Sequence, residues 1–253
     1  MKILTVPILS DNYSYLIIDK ENKFCSAIDP ASPEEIIPLI EEKNLNLKNI
    51  LNTHHHSDHT AGNLELKKKY KCKIYGPERE KEKIPGLDVA LKENDMIKIN
   101  NFNAKIIETP GHTTGHIIFW FEKEKKVFTG DTLFVLGCGK LFEGTPKVMW
   151  NSLLKIRNLP NETEIYCGHE YSKNNADFAL SIEKNNNKLI KRSHEIKKLI
   201  NKNNFTVPTI LQKEIECNPF LRADNDNIKK NLKMENASPE EVFYEIRKKK
   251  DIF

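Results

Sequence analysis

A chain of 253 residues is long enough for one large domain, or for one domain with a smaller companion. Hydrophobic residues make up 38% and charged residues 30%, a polar balance that still allows a buried core, and the net charge is 40 − 36 = +4 with a pI near 8.6. Lysines alternate with glutamates and asparagines, a pattern that argues against a nucleic-acid surface and weakly favours a small anionic ligand. The five cysteines (Cys25, Cys72, Cys138, Cys167 and Cys217) are an odd number without a C-x-x-C pair, as expected for reduced thiols in a cytoplasmic protein. Residues 1–16 hold only a short apolar run broken by Pro7 and Ser10-Asp11-Asn12, so a first strand is expected there, not a secretory leader. No stretch reaches the length of a membrane span.

Short β-like runs punctuated by turns predict strands at 2–6, 14–18 and 24–28. Ser32-Pro33-Glu34-Glu35 opens a helix to about Lys43: an N-cap serine, proline at the first position, then acids in the first turn. A strand at 49–53 delivers the chain into the stretch THHHSDHTAGN, followed by a helix from Thr60 to Tyr70. Further strands are expected at 104–108, 116–121, 126–129 and 163–167, with a helix at 146–157. Beyond residue 171 the texture becomes helical, over 174–203 and 239–250, with a connector at 204–222. The expected fold class is α/β, divided near residue 170 into an α/β domain over 1–170 and a small helical domain over 171–253.

Four histidines and an aspartate within six residues, His54 to His59, cannot serve an apolar core. In an extended segment His54 and His56 project to the same side, while Asp58 and His59 diverge at a turn. That suits two neighbouring metals, with imidazole and carboxylate donors acceptable to zinc, iron or manganese. One cluster cannot fill two coordination shells, and three further candidates follow strands: His112 in TPGHTTGH, Asp131 in FTGDTLF and His169 in YCGHEY. Asp131 can bridge, and positions left open for water mark a catalytic site. By alternation His55 points away and is set aside. His116 opens an apolar strand and reads as a packed core histidine. Asp29 is read either as a turn residue or as an acceptor that orients a ligand histidine.

The motifs HHHSDH, PGHTTGH, TGDTLF and CGHEY, in this order, resemble the metallo-β-lactamase superfamily. GCGKLFEGTP (137–146), NPFLR (218–222) and RKKKD (247–251) resemble, more narrowly, the glyoxalase II or hydroxyacylglutathione hydrolase family. The resemblance spans the chain and implies a four-layered αββα sandwich with a C-terminal helical domain. It implies hydrolysis of S-D-lactoylglutathione to glutathione and D-lactate, a step in methylglyoxal detoxification. It places one divalent metal on His54, His56 and His112, a second on Asp58, His59 and His169, and Asp131 between them. Zinc is the first expectation, with iron or manganese as alternatives. Asp58 and Asp131 are then catalytic as ligands that position a metal-activated hydroxide. Glutathione is expected at Lys140, Phe142, Tyr171, Arg247 and Lys250. Phe142 departs from the family pattern, in which a tyrosine often stands there, and a phenyl ring cannot donate a hydrogen bond.

Other hydrolases of the same superfamily, a lactonase or a related thioesterase, are the main alternative. The seven-ligand set argues against a single-iron dioxygenase, and the GCGK segment against the β-lactamases. A Cys167–His169 nucleophile pair is disfavoured because Cys167 ends an apolar strand. A metal-storage module would hold metal without hydrolysing any ester. A monomer free of nucleic acid and membrane is expected.

Overall fold

A computed structural model describes residues 1–19 and 21–253. The chain divides into two compact units, residues 1–108 with 113–130 and residues 109–112 with 131–253.

The first unit holds a six-stranded sheet of β1 (Lys2–Ile8), β2 (Asn12–Asp19), β3 (Phe24–Ile28), β4 (Asn46–Leu51), β5 (Lys73–Pro77) and β6 (Val89–Leu91), in that order. The first three strands pair antiparallel and the rest parallel. All eight residues of β2 are buried, as expected of a strand covered on both faces. The helices α1 (Pro33–Glu42), α2 (Ser57–Thr60) and α3 (Asn63–Tyr70) follow β3 and β4. Ile36 and Ile40 of α1 and Leu66 of α3 join Leu16, Ala27, Ile50 and Ile74 of the strands in one apolar cluster. Four more strands, β7 (Met96–Ile99), β8 (Phe102–Glu108), β9 (Ile117–Phe121) and β10 (Lys126–Gly130), form an antiparallel meander. Phe128 of β10 meets Tyr15 of β2 with ring centroids 5.4 Å apart.

The expected helix from Thr60 to Tyr70 is broken at Gly62. A Cβ there would lie 2.2 Å from the Pro30 carbonyl oxygen, a close approach that only glycine permits. The short helix α2 that results carries the second half of the histidine cluster.

The second unit contains the two-residue hairpin β11 (Leu133–Phe134) and β12 (Gly137–Cys138), then α4 (Pro146–Arg157) and β13 (Glu164–Cys167). It continues through α5 (Ser172–Ile182), α6 (Asn187–Ile200), β14 (Thr209–Ile210), α7 (Leu211–Cys217), α8 (Asp226–Leu232) and α9 (Pro239–Asp251). The start of α4 matches its sequence signals: Thr145 accepts from the Val148 amide at 3.3 Å and Pro146 takes the first position. Met149, Trp150, Leu153 and Ile156 are its buried apolar stripe, each contributing about 1.5–3 kcal/mol on burial. Trp150 and Phe220 both pack on Phe243 of α9, at 6.3 and 6.0 Å between centroids.

The helix expected over 174–203 is two helices. Asn186 caps α6 by accepting from the amides of Lys188 and Leu189, and Glu183 leaves α5 to take a two-pronged ion pair from Arg222 at 2.9 and 3.1 Å. The expected connector 204–222 folds into β14 and α7, because Leu211, Glu214 and Cys217 are buried on one face. Among the described residues no helix is long and apolar enough to cross a membrane.

Candidate metal centre

The first unit brings His54, His56, Asp58 and His59 together at the end of β4. His54 is fully buried, His56 precedes α2, and Asp58 and His59 lie in its first turn. His54 Nε2 and His56 Nδ1 face each other at 3.0 Å, and the rings of His54 and His59 are 4.2 Å apart. His59 Nε2 lies 3.6 Å from Asp58 Oδ2.

Asp29 sets this geometry. It is 2% exposed, with φ of +46°. One carboxylate oxygen accepts the Thr53 amide at 2.8 Å. The other accepts the Thr53 hydroxyl at 2.7 Å and lies 3.1 Å from His59 Nδ1. A hydroxyl has one proton. Because Thr53 spends it on Asp29, the 3.0 Å contact between Thr53 Oγ1 and His54 Nδ1 requires the imidazole to donate. Nδ1 therefore carries the hydrogen in His54 and His59, and each Nε2 keeps its lone pair for a cation. Asn12 fixes Asp58, donating to its backbone oxygen at 3.1 Å and to Oδ2 at 3.0 Å. His116 is fully buried and stacks 4.9 Å from His54. Gly130, at φ +46°, gives room to both: a Cβ there would meet Thr53 Oγ1 at 2.4 Å and His116 Nε2 at 2.8 Å. His55 turns aside to Glu80, 2.9 Å from its Nδ1.

The second unit gathers His112, Asp131 and His169. His112 Nε2 and His169 Nε2 lie 3.4 and 3.3 Å from the same oxygen, Asp131 Oδ2. All three residues are at most 6% exposed. His112 Nδ1 sits 2.8 Å from the Lys140 carbonyl, which can only accept, so again Nδ1 is the donor and Nε2 carries the lone pair. Three buried histidines with fixed tautomers, and lone pairs that converge on each other or on a carboxylate, fit divalent metal ions. Cys167 ends β13, its thiol directed to the His169 carbonyl at 3.4 Å, and burial raises it far above the usual thiol range, which disfavours a thiolate nucleophile.

The expected glutathione residues all fall in the second unit. Tyr171 stacks flat on His169, centroids 4.8 Å apart and 7° between planes, and Phe134 meets it edge-on. Phe142 is 61% exposed and meets His112 edge-on at 5.2 Å. Lys140 Nζ stands 5.8 Å above the Phe142 ring. Lys250 Nζ lies 5.2 Å from the rings of both Phe178 and Phe253 and donates to Asn174 Oδ1. Its burial, and then the nearby Arg247, bring its pKa down to about 8. Arg247 is different. It is 7% exposed, donates to the Cys138 carbonyl at 2.9 Å, pairs with Asp251 and covers the Phe220 ring. Residues that pattern reading passed over are Asn12 and Thr53, which sit in polar stretches read only as turn and strand end.

A chain with this arrangement of strands and strand-end histidines is a metallo-β-lactamase fold. The family model "Metallo-beta-lactamase superfamily" matches residues 10–169, and "Hydroxyacylglutathione hydrolase C-terminus" matches 170–253. The crystal structure of ETHE1 from Myxococcus xanthus shares the fold, with a TM-score of 0.72 at 22% identity, covering 98% of this chain and 90% of that one. A protein crystallised in a di-iron-bound form aligns with a TM-score of 0.56 at 26% identity, over 66% of this chain and 92% of that one. A hydroxyacylglutathione hydrolase of Methylococcus capsulatus is 43% identical over 100% of this chain and 99% of its own length. The chain belongs to the hydroxyacylglutathione hydrolase family.

Proposed function

We propose that this protein hydrolyses S-D-lactoylglutathione to glutathione and D-lactate at a centre of two divalent metal ions. His54, His56 and His112 would hold one ion, Asp58, His59 and His169 the other, and Asp131 would serve both. The division follows the histidine and aspartate motifs of the stretch that the metallo-β-lactamase superfamily model matches, residues 10–169. The observation that carries the reading is the fixed Nδ1–H tautomer of His54, His59 and His112, which reserves three Nε2 lone pairs for metal. When bound, the ions supply an activated water near neutral pH and polarise the thioester carbonyl.

The chain's own residues do the rest. Asp29 and Asn12 hold His59 and Asp58 in place. Lys140 and Lys250 are cations suited to the carboxylates of glutathione, while Tyr171 and Phe142 offer ring surface beside His169 and His112. The expelled thiolate is a weak base and needs no strong acid to leave. Zinc is the first choice for this nitrogen-rich set, with iron or manganese also suited to it. Five buried cysteines outside any disulfide support a reducing, cytoplasmic setting. The deciding experiment is hydrolysis of S-D-lactoylglutathione beside a lactone, with the metal counted in the same preparation. Faster turnover of the lactone would move the assignment to another hydrolase of the superfamily.

A further inference from the structure

The short hairpin Leu133–Cys138 is held at its backbone by side chains from α5, α7, the residue after α7, and α9. Asn175 donates to the Val135 carbonyl at 3.1 Å. The Leu136 amide donates to Glu214 at 2.7 Å, and that residue is fully buried. Asn218 donates to the carbonyls of Phe134 and Gly137 at 3.3 and 3.0 Å, and Arg247 to that of Cys138 at 2.9 Å. The hairpin begins two residues after Asp131 and ends two before Lys140, whose carbonyl fixes His112 Nδ1. Gly139 between them is pressed against both ligands. A Cβ there would lie 2.0 Å from the Asp131 carbonyl oxygen and 3.0 Å from His112 Nδ1.

We infer that Arg247, whatever its contact with glutathione, is also a positioning residue for the metal ligands His112 and Asp131, acting through the Leu133–Cys138 hairpin. Its guanidinium donates to the Cys138 carbonyl, pairs with Asp251 and lies 5.0 Å above the Phe220 ring. A planar group with five donors can make these contacts together, and a lysine ammonium cannot. The hairpin has only two residues per strand, so its own ladder contributes little, and its position depends on these side-chain anchors. Asn175 is a second anchor at the other end of the hairpin, packed so closely that a Cβ on Gly137 would lie 2.4 Å from its Nδ2.

This inference rests on the proposed metal centre, and its test separates the two. Metal-loaded wild type, Arg247→Lys and Asn175→Ser are compared for the rate of metal release into excess chelator, and for kcat and KM with S-D-lactoylglutathione. Both variants are expected to release metal faster, by roughly tenfold, as for residues that support metal ligands, with lower kcat, and with little change in KM for Asn175→Ser. Should Arg247→Lys fail to fold, Asn175→Ser carries the comparison. A raised KM in Arg247→Lys, with metal release and kcat at wild-type values, would overturn the inference. So would unchanged release in Asn175→Ser. A wild type that holds metal but hydrolyses no thioester would instead refute the proposed substrate, and the release rates would still judge the role of Arg247.

Discussion

Asp29 Oδ2 lies 3.1 Å from His59 Nδ1, across 30 residues of chain, while the same carboxylate holds both the amide and the hydroxyl of Thr53. One buried anion therefore sets the ring orientation of His59 directly and the tautomer of His54 through Thr53. Asp29→Asn keeps the size but replaces an acceptor oxygen with a donor nitrogen. Metal affinity should fall about 10–100-fold, the usual loss when such a supporting partner is removed. Competition against a chelator of known affinity measures it, and unchanged affinity would show that His59 needs no such support.

This pairing marks the limit of what the sequence discloses. His54, His56, Asp58 and His59 are legible because they crowd into six residues, and His112, Asp131 and His169 because each follows a strand and adjoins glycine. Asp29 is distant in sequence, and its two readings could not be separated until Thr53 was seen beside it. The helices α4 and α9 are legible from cap, proline and apolar stripe. α7 is not, since Glu214 stands in its buried stripe and is sustained there by Leu136, Thr209 and Asn218. The strands β5, β6 and β7 are also passed over, their short runs being interrupted by charge and proline.

Lys250 makes substrate affinity depend on pH. Desolvation by the two phenyl rings and repulsion from Arg247 lower its pKa to about 8, against the opposing pull of Asp177. Below that pH the ammonium can pair with a glutathione carboxylate, and above it the charge is lost. KM should therefore be flat to about pH 8 and rise beyond it. In Lys250→Gln it should be higher throughout and lack that rise. A wild-type KM flat to pH 10 would remove Lys250 from the binding site.

Phe142 supplies ring surface beside His112 but no donor. Phe142→Tyr adds a hydroxyl at a 61% exposed position. If glutathione lies along this ring, KM should fall roughly two- to tenfold, the worth of one ordinary hydrogen bond. An unchanged KM in steady-state kinetics would place the substrate away from the ring edge.

Cys167 and Asp131 separate two chemistries. The thiol is buried and held far above the thiolate range, so Cys167→Ala should leave turnover near wild type. Asp131 touches both His112 and His169, and Asp131→Ala should abolish turnover together with metal binding. Loss in the first variant and retention in the second would favour a cysteine nucleophile.

Hydrolysis of the thioester should depend on metal held by these seven ligands. This dependence is tested most directly by following S-D-lactoylglutathione turnover in the purified protein, after chelation, and after metal is restored. Turnover should be lost on chelation and return with zinc, iron or manganese at up to two ions per chain. Full turnover by protein shown to be metal-free would contradict it.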